Sequence, residues 1–184
     1  MRLRKKWEVQ ALVEESDRYE VEVANEQDCL AVEDAWVADV VRKVLEEEGV
    51  LAAQVSVALV EHSRSHELNR RFLQHDEPTD VLSFLLECEP EERANEPGGA
   101  DKRLEGEVVV NAQMALDRAE EFGWSPKDEL VLYLVHGVLH LCGYDDQTEE
   151  ARQQMRAKER EMLRLWNLSP RYNDGGATSR RGED

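Results

Sequence analysis

Apolar and polar residues alternate through YEVEVA, Tyr19–Ala24, so that Tyr19, Val21 and Val23 share one side and Glu20 and Glu22 the other. A period of two is that of a strand with one face buried. From Glu33 to Glu48 the period lengthens. Val37, Val40, Val41, Val44 and Leu45 recur at helical spacing, and Gly49 stands where a helix ends in a left-handed residue. VSVALV (Val55–Val60) and VLSFLL (Val81–Leu86) are apolar runs of strand length and read as buried strands. Between them, Ser65–Leu73 reads as a short helix ended by the turn-forming DEPTD. GEVVVN (Gly106–Asn111) is a fourth strand. Asn111 is suited to cap a helix running to Gly123, with Met114, Leu116, Ala119 and Phe122 expected to supply its apolar contacts. Ser125-Pro126 opens another helix, which extends to about Cys142, and a last one runs from Thr148 to about Leu165. Glu87–Leu104 is rich in Glu, Pro and Gly and shows no period, which predicts an exposed, mobile loop.

These elements predict an α+β fold: one domain over residues 19–166, with a single four-stranded sheet covered by about five helices. A flexible charged lead-in, 1–18, and a disordered polar tail, 167–184, are expected on either side.

Composition changes this picture in two ways. A chain of 184 residues with 41% hydrophobic content can bury a core without staples. Its formal charge of −18 opposes broad electrostatic binding to nucleic acid. One segment runs against that charge. From His62 to His75 there are three arginines, three histidines and a single Glu67. Alone, such a segment reads as an ordinary solvated helix face. Cys29, Cys88 and Cys142 have no framework spacing, no apolar run reaches the roughly 20 residues that span a bilayer, and MRLRKKWEVQ lacks a signal region. A cytoplasmic location with no membrane partner is expected.

The chemistry concentrates in HGVLHLCGYDD, His136–Asp146. His136 and His140 stand one turn apart on a helix that is apolar nearly all round, so their imidazoles can converge on one point. Gly143 allows the chain to reverse, and Asp146 can return beside the histidines. Two histidines and a carboxylate form a ligand set for zinc that leaves a fourth position open, as catalytic sites do. Asp145 competes with Asp146 for the third place, and its other reading is a cap for the following helix. Cys142 lies about 200° around the helix from His140 and reads as core. The offsets follow the metzincin layout, but Gly137 stands where zinc proteases keep their general-base Glu, which argues against peptide hydrolysis.

HGVLHLCGYDD resembles the H-G-x-L-H-L-x-G-Y-D-H motif of the YbeY family of bacterial endoribonucleases, also called rRNA maturation factors, at every fixed position except the last. HELNRRFLQHDEPTDVLSF (His66–Phe84) and GEVVVNAQMALDRAEEFG (Gly106–Gly123) extend the resemblance over most of residues 55–146. The resemblance implies a zincin-like fold with one zinc at His136, His140 and Asp146. It also implies cleavage of single-stranded RNA, maturation of the small-subunit rRNA 3′ end and ribosome quality control. Single-stranded and ribosomal RNA are the implied partners, with the ribosome and its proteins beside them.

Two departures stand out. Asp146 occupies the place of the family's third histidine. The arginine that usually follows the aromatic residue is replaced by Leu73, leaving Arg71, with Arg70, as the substitute phosphate contact. Metal-assisted phosphodiester cleavage is therefore the leading expectation, with water or the RNA's own 2′-OH as nucleophile. A ribosome-assembly factor with a mainly structural zinc is the alternative.

Overall fold

The computed structural model describes residues 18–170. All of the expected lead-in but Arg18, and most of the expected tail, lie outside the described residues. Four strands form one sheet: β1 (Tyr19–Asn25), β2 (Ala52–Val60), β3 (Val81–Glu89) and β4 (Arg103–Asn111), in the order β1-β2-β4-β3. β1, β2 and β4 run parallel, and β3 is an antiparallel edge strand. The helices are α1 (Asp34–Glu47), α2 (His62–Leu73), α3 (Ala112–Phe122), α4 (Pro126–Leu141) and α5 (Glu149–Leu163). This is the α+β architecture the periodicities predict. Among the described residues no helix is long and apolar enough to cross a membrane.

One face of the sheet is dry. Val55, Val57 and Leu59 of β2, with Leu104, Val108 and Val110 of β4, are buried together. α4 packs on β3 and β4, α1 packs on β1, and α3 and α5 pack on α4. The opposite face carries Gln54, Ser56, Glu105 and Glu107, which with Glu20 and Glu22 line a shallow acidic groove. α4 thus lies in the middle of the molecule, and ten of its residues are buried. Its start is fixed by a capping box in which the Ser125 hydroxyl accepts from the Asp128 N–H and the Asp128 carboxylate accepts from the Ser125 N–H.

Several expectations need correction. The stretch 87–104 is an exposed connection only in its middle, between Pro90 and Lys102. β3 runs on to Glu89 and β4 begins at Arg103, so the two strands form a long antiparallel pair in which Cys88 faces Leu104, both buried. A bulge between Leu85 and Glu87 shifts the register there, which breaks the period-two pattern. Lys102 has no exposed surface. Its ammonium donates to the carbonyls of Glu96 and Cys142 and so ties this segment to the end of α4. In α3, Met114 and Ala119 are buried as expected. Leu116 is exposed, and Ala115 takes the inward place. The Phe122 side chain lies outside the described residues.

Candidate metal centre

The last turn of α4 builds most of the site. The helix closes in a Schellman arrangement, with the Gly143 N–H bonded to the His140 carbonyl and the Tyr144 N–H to the Leu139 carbonyl. Gly143 has φ +93°. A Cβ there would meet the Glu96 carbonyl oxygen at 2.5 Å and that of Ala94 at 2.8 Å. Only glycine satisfies both the backbone angle and this close approach. The reversal brings the chain back so that Asp146 Oδ2 lies 3.7 Å from His136 Nε2. Within the same turn, His140 Nδ1 lies 2.9 Å from the Tyr144 carbonyl oxygen and can donate to it.

His136 is supported from elsewhere. Its Nδ1 lies 2.6 Å from Oε1 of Glu159, a buried carboxylate on α5. The two Nε2 atoms face one another at 3.0 Å, and when both rings are neutral with Nδ1–H engaged, each carries a lone pair there. Two lone pairs so placed repel unless a cation lies between them. Nitrogens each about 2.0–2.1 Å from a tetrahedral zinc would stand roughly 3.3 Å apart. The donor atoms of His136, His140 and Asp146 all lie within 4.8 Å of one another, and among the described residues this is the group able to hold a metal ion. The donor set fits the ion. Asp145 stands outside it: its Oδ1 accepts from the Asp146 and Gln147 N–H groups, while Thr148 caps α5.

The electrostatics separate the two histidines. Burial alone would lower the pKa of His136, but the hydrogen bond and charge of Glu159, with Asp80 and Asp146, outweigh burial and raise it. His140 is lowered by burial and then by His136. Cys142 is fully buried in the core, as its place on the helix predicts, and burial pushes its thiol up.

Gly137 has a steric reason. α4 lies so close to the sheet that a Cβ at this position would be 2.5 Å from Val108 Cγ1 and 2.8 Å from Val81 Cγ2. Ser83 Oγ donates to the Gly137 carbonyl at 2.9 Å, which holds the helix down. A protease-type glutamate has no room here, and the position faces the sheet.

Arg71 is not part of this cluster. It lies at the end of α2, exposed, with its guanidinium 5.3 Å from the centroid of the exposed Phe72 ring. Phe72 in turn meets Phe84 of β3 edge to face at 5.3 Å. The rest of the basic segment is largely neutralised, with His62 on Asp117, His66 on Asp76 and Arg64 on Glu67. Arg70 and Arg71 have no carboxylate partner among the described residues.

Residues 21–167 match the family model described as Endoribonuclease YbeY. The chain belongs to the YbeY family. A protein described as Endoribonuclease YbeY from Pelotomaculum thermopropionicum is 42% identical over 151 residues, 80% of this chain and 97% of that protein. One of the same description from Bacillus subtilis is 37% identical over 133 residues, 72% of this chain and 85% of that protein. The solution structure of TM1509 from Thermotoga maritima is similar with a TM-score of 0.50 and 26% identity, and the match covers 85% of this chain and 99% of that one. Family membership agrees with the resemblance carried by the histidine motif.

Glu159 is the site residue that sequence reasoning missed. A signal for it exists. The buried stripe of α5 is Met155, Glu159, Met162 and Leu163, and a carboxylate on an apolar stripe marks a buried partner.

Proposed function

We propose that this chain is a metal-dependent endoribonuclease that cleaves single-stranded RNA, with zinc held by His136, His140 and Asp146. The observation that supports this best is the facing pair of Nε2 atoms at 3.0 Å, each with its Nδ1 already engaged. Zinc in such a place supplies Lewis acidity toward a phosphate oxygen and activates water. The protein's own part is to fix the three donors and to keep the inner side of the centre dry. Asp146, half exposed, stands on the open side where a phosphodiester would approach. Arg70 and Arg71 are free to meet phosphates, and Phe72 offers a ring on which an unpaired base can stack.

The reading extends to ribosomal RNA in the cytoplasm as the substrate, with processing of the small-subunit rRNA 3′ end as the physiological step, on the strength of the motif resemblance. The acidic groove on the open sheet face favours a second reading, in which a basic ribosomal partner docks and the metal is mainly structural.

Metal analysis of the purified protein, paired with cleavage of unstructured RNA, tests the proposal. The expected result is one zinc per chain and metal-dependent cutting, both lost in His136→Ala and His140→Ala. Asp146→Ala should lose metal, whereas Asp145→Ala should keep it. Retained zinc in the double histidine variant would refute the site. Zinc binding without any cleavage would favour the structural reading.

A further inference from the structure

We infer that Glu159 is the positioning residue of the centre: its carboxylate, delivered from α5, holds His136 in the one tautomer and ring orientation that presents Nε2 to the ion. The inference rests on the metal site proposed above.

A neutral imidazole carries its proton on either nitrogen, and only the Nδ1–H form leaves Nε2 free to coordinate. An ionised carboxylate can only accept. Oε1 of Glu159 at 2.6 Å from Nδ1 therefore assigns the proton to that nitrogen and fixes the plane of the ring. His140 needs no such partner, because the Tyr144 carbonyl performs the same task within the turn. Nothing local can do this for His136, whose next residue is the side-chain-free Gly137.

Packing does not account for an acid at this place. Glu159 is 3% exposed and shares its stripe with Met155, Met162 and Leu163. A leucine would join α5 to α4 without the desolvation that a carboxylate suffers. The helix that carries Glu159 is also anchored outside the site. The preceding residue, Lys158, reaches Glu48 at the end of α1, with Nζ 2.9 Å from Oε1. The second oxygen of Glu48 accepts from the Gly99 N–H at 3.1 Å. Two neighbouring residues of α5 thus face different elements, Lys158 toward the end of α1 and Glu159 toward α4.

The test uses the full chain, with zinc as the only added ligand. Ring nitrogens are observed by long-range proton–nitrogen correlation in metal-free protein, and zinc affinity is measured against a chromogenic chelator. At alkaline pH, where the ring is neutral, wild type should show His136 as the Nδ1–H tautomer. Glu159→Leu leaves the buried Nδ1–H of His136 without its acceptor, so it should lower the melting temperature, mix the two tautomers and weaken zinc binding roughly 10–100-fold. Glu159→Gln, which keeps an acceptor oxygen, should recover much of that loss. Wild-type affinity in Glu159→Leu, or an Nε2–H tautomer in the wild type, would overturn the inference while leaving the metal site standing. A wild-type chain that binds no zinc would overturn both.

Discussion

His140 and His136 stand one turn apart on α4, yet they are supported from two regions of the molecule built on different scales. The turn that follows α4 orients His140, returns Asp146 and ends the helix within residues 139–146, through bonds that span three to five residues. The α4–α5 interface orients His136 through a contact 23 residues distant in sequence, and a further ion pair to α1 backs it. The first region is a consequence of local backbone geometry. The second exists only once three helices have packed. A site divided in this way has one histidine oriented by the end of its own helix and one oriented by the packing of other helices.

The largest expected effect falls on the local region. Gly143→Val meets both a positive φ and two carbonyl oxygens within 3 Å of its Cβ. It should cost about 4 kcal/mol or more in urea unfolding of metal-free protein. Zinc affinity should fall with it. A loss under about 1 kcal/mol would mean that the turn yields readily, and the contrast with the α5 side would dissolve.

On the remote side, Glu48→Gln leaves the Lys158 ammonium without its buried counter-charge. Glu161 stays 3.1 Å from the same ammonium, so the loss should be about 2 kcal/mol. Zinc stoichiometry at saturation should stay at the wild-type level, because no donor has been touched. A variant that is stable but metal-free would show that α5 register is demanded more strictly than packing.

The third prediction concerns pH. In metal-free protein the raised pKa of His136 means that its protonated form stabilises the fold fully below the ordinary imidazole value of 6.5. That contribution fades as pH rises through the raised value. Zinc requires the proton to leave, so its affinity should climb over the same window, by about tenfold per pH unit for one proton released. His140, lowered by burial, should add little to this slope above neutrality. The melting temperatures of metal-free and zinc-loaded protein should therefore diverge as pH increases from about 6 toward 8. Affinity that is flat across this range would remove Glu159 as the cause of the asymmetry.

The smallest effect is Thr148→Ala. It removes the hydroxyl that accepts from the Ala151 N–H at the start of α5 and should cost about 1 kcal/mol. The His140 tautomer should not respond, since its acceptor lies in the other region.

The same division explains what could be read from the sequence. The α4 motif was legible because every cue in it is local: a helical repeat of histidines, a glycine at the reversal and a carboxylate three residues on. The four strands and five helices were legible from their periods, although β2, β3 and β4 each extend three residues beyond their apolar runs. The segment 87–104 was not legible. Its outward positions are glutamates, its inward ones include Cys88 and Leu104, and the bulge after Leu85 interrupts the alternation. Lys102 misleads for a different reason, since a lysine is among the residues least often buried. Glu159 stayed hidden because its partner belongs to another helix. Leu73 stands where the resemblance expects an arginine, and that departure is legible in the sequence, whereas the stacking of the exposed Arg71 on Phe72 is not.

The buried amine of Lys102 has a practical consequence. An acylating reagent in solution reaches Lys43, whose side chain is 41% exposed, without any change in fold. It cannot reach Lys102 until the strand-linking segment lifts away from Glu96 and from the end of α4. The acylation rate of this one nitrogen, read by peptide mass against Lys43, therefore clocks the opening of the segment that presses on Gly143. Saturating zinc should slow that clock if the metal holds the turn shut, which gives a measure of coupling between ion and fold that involves no RNA.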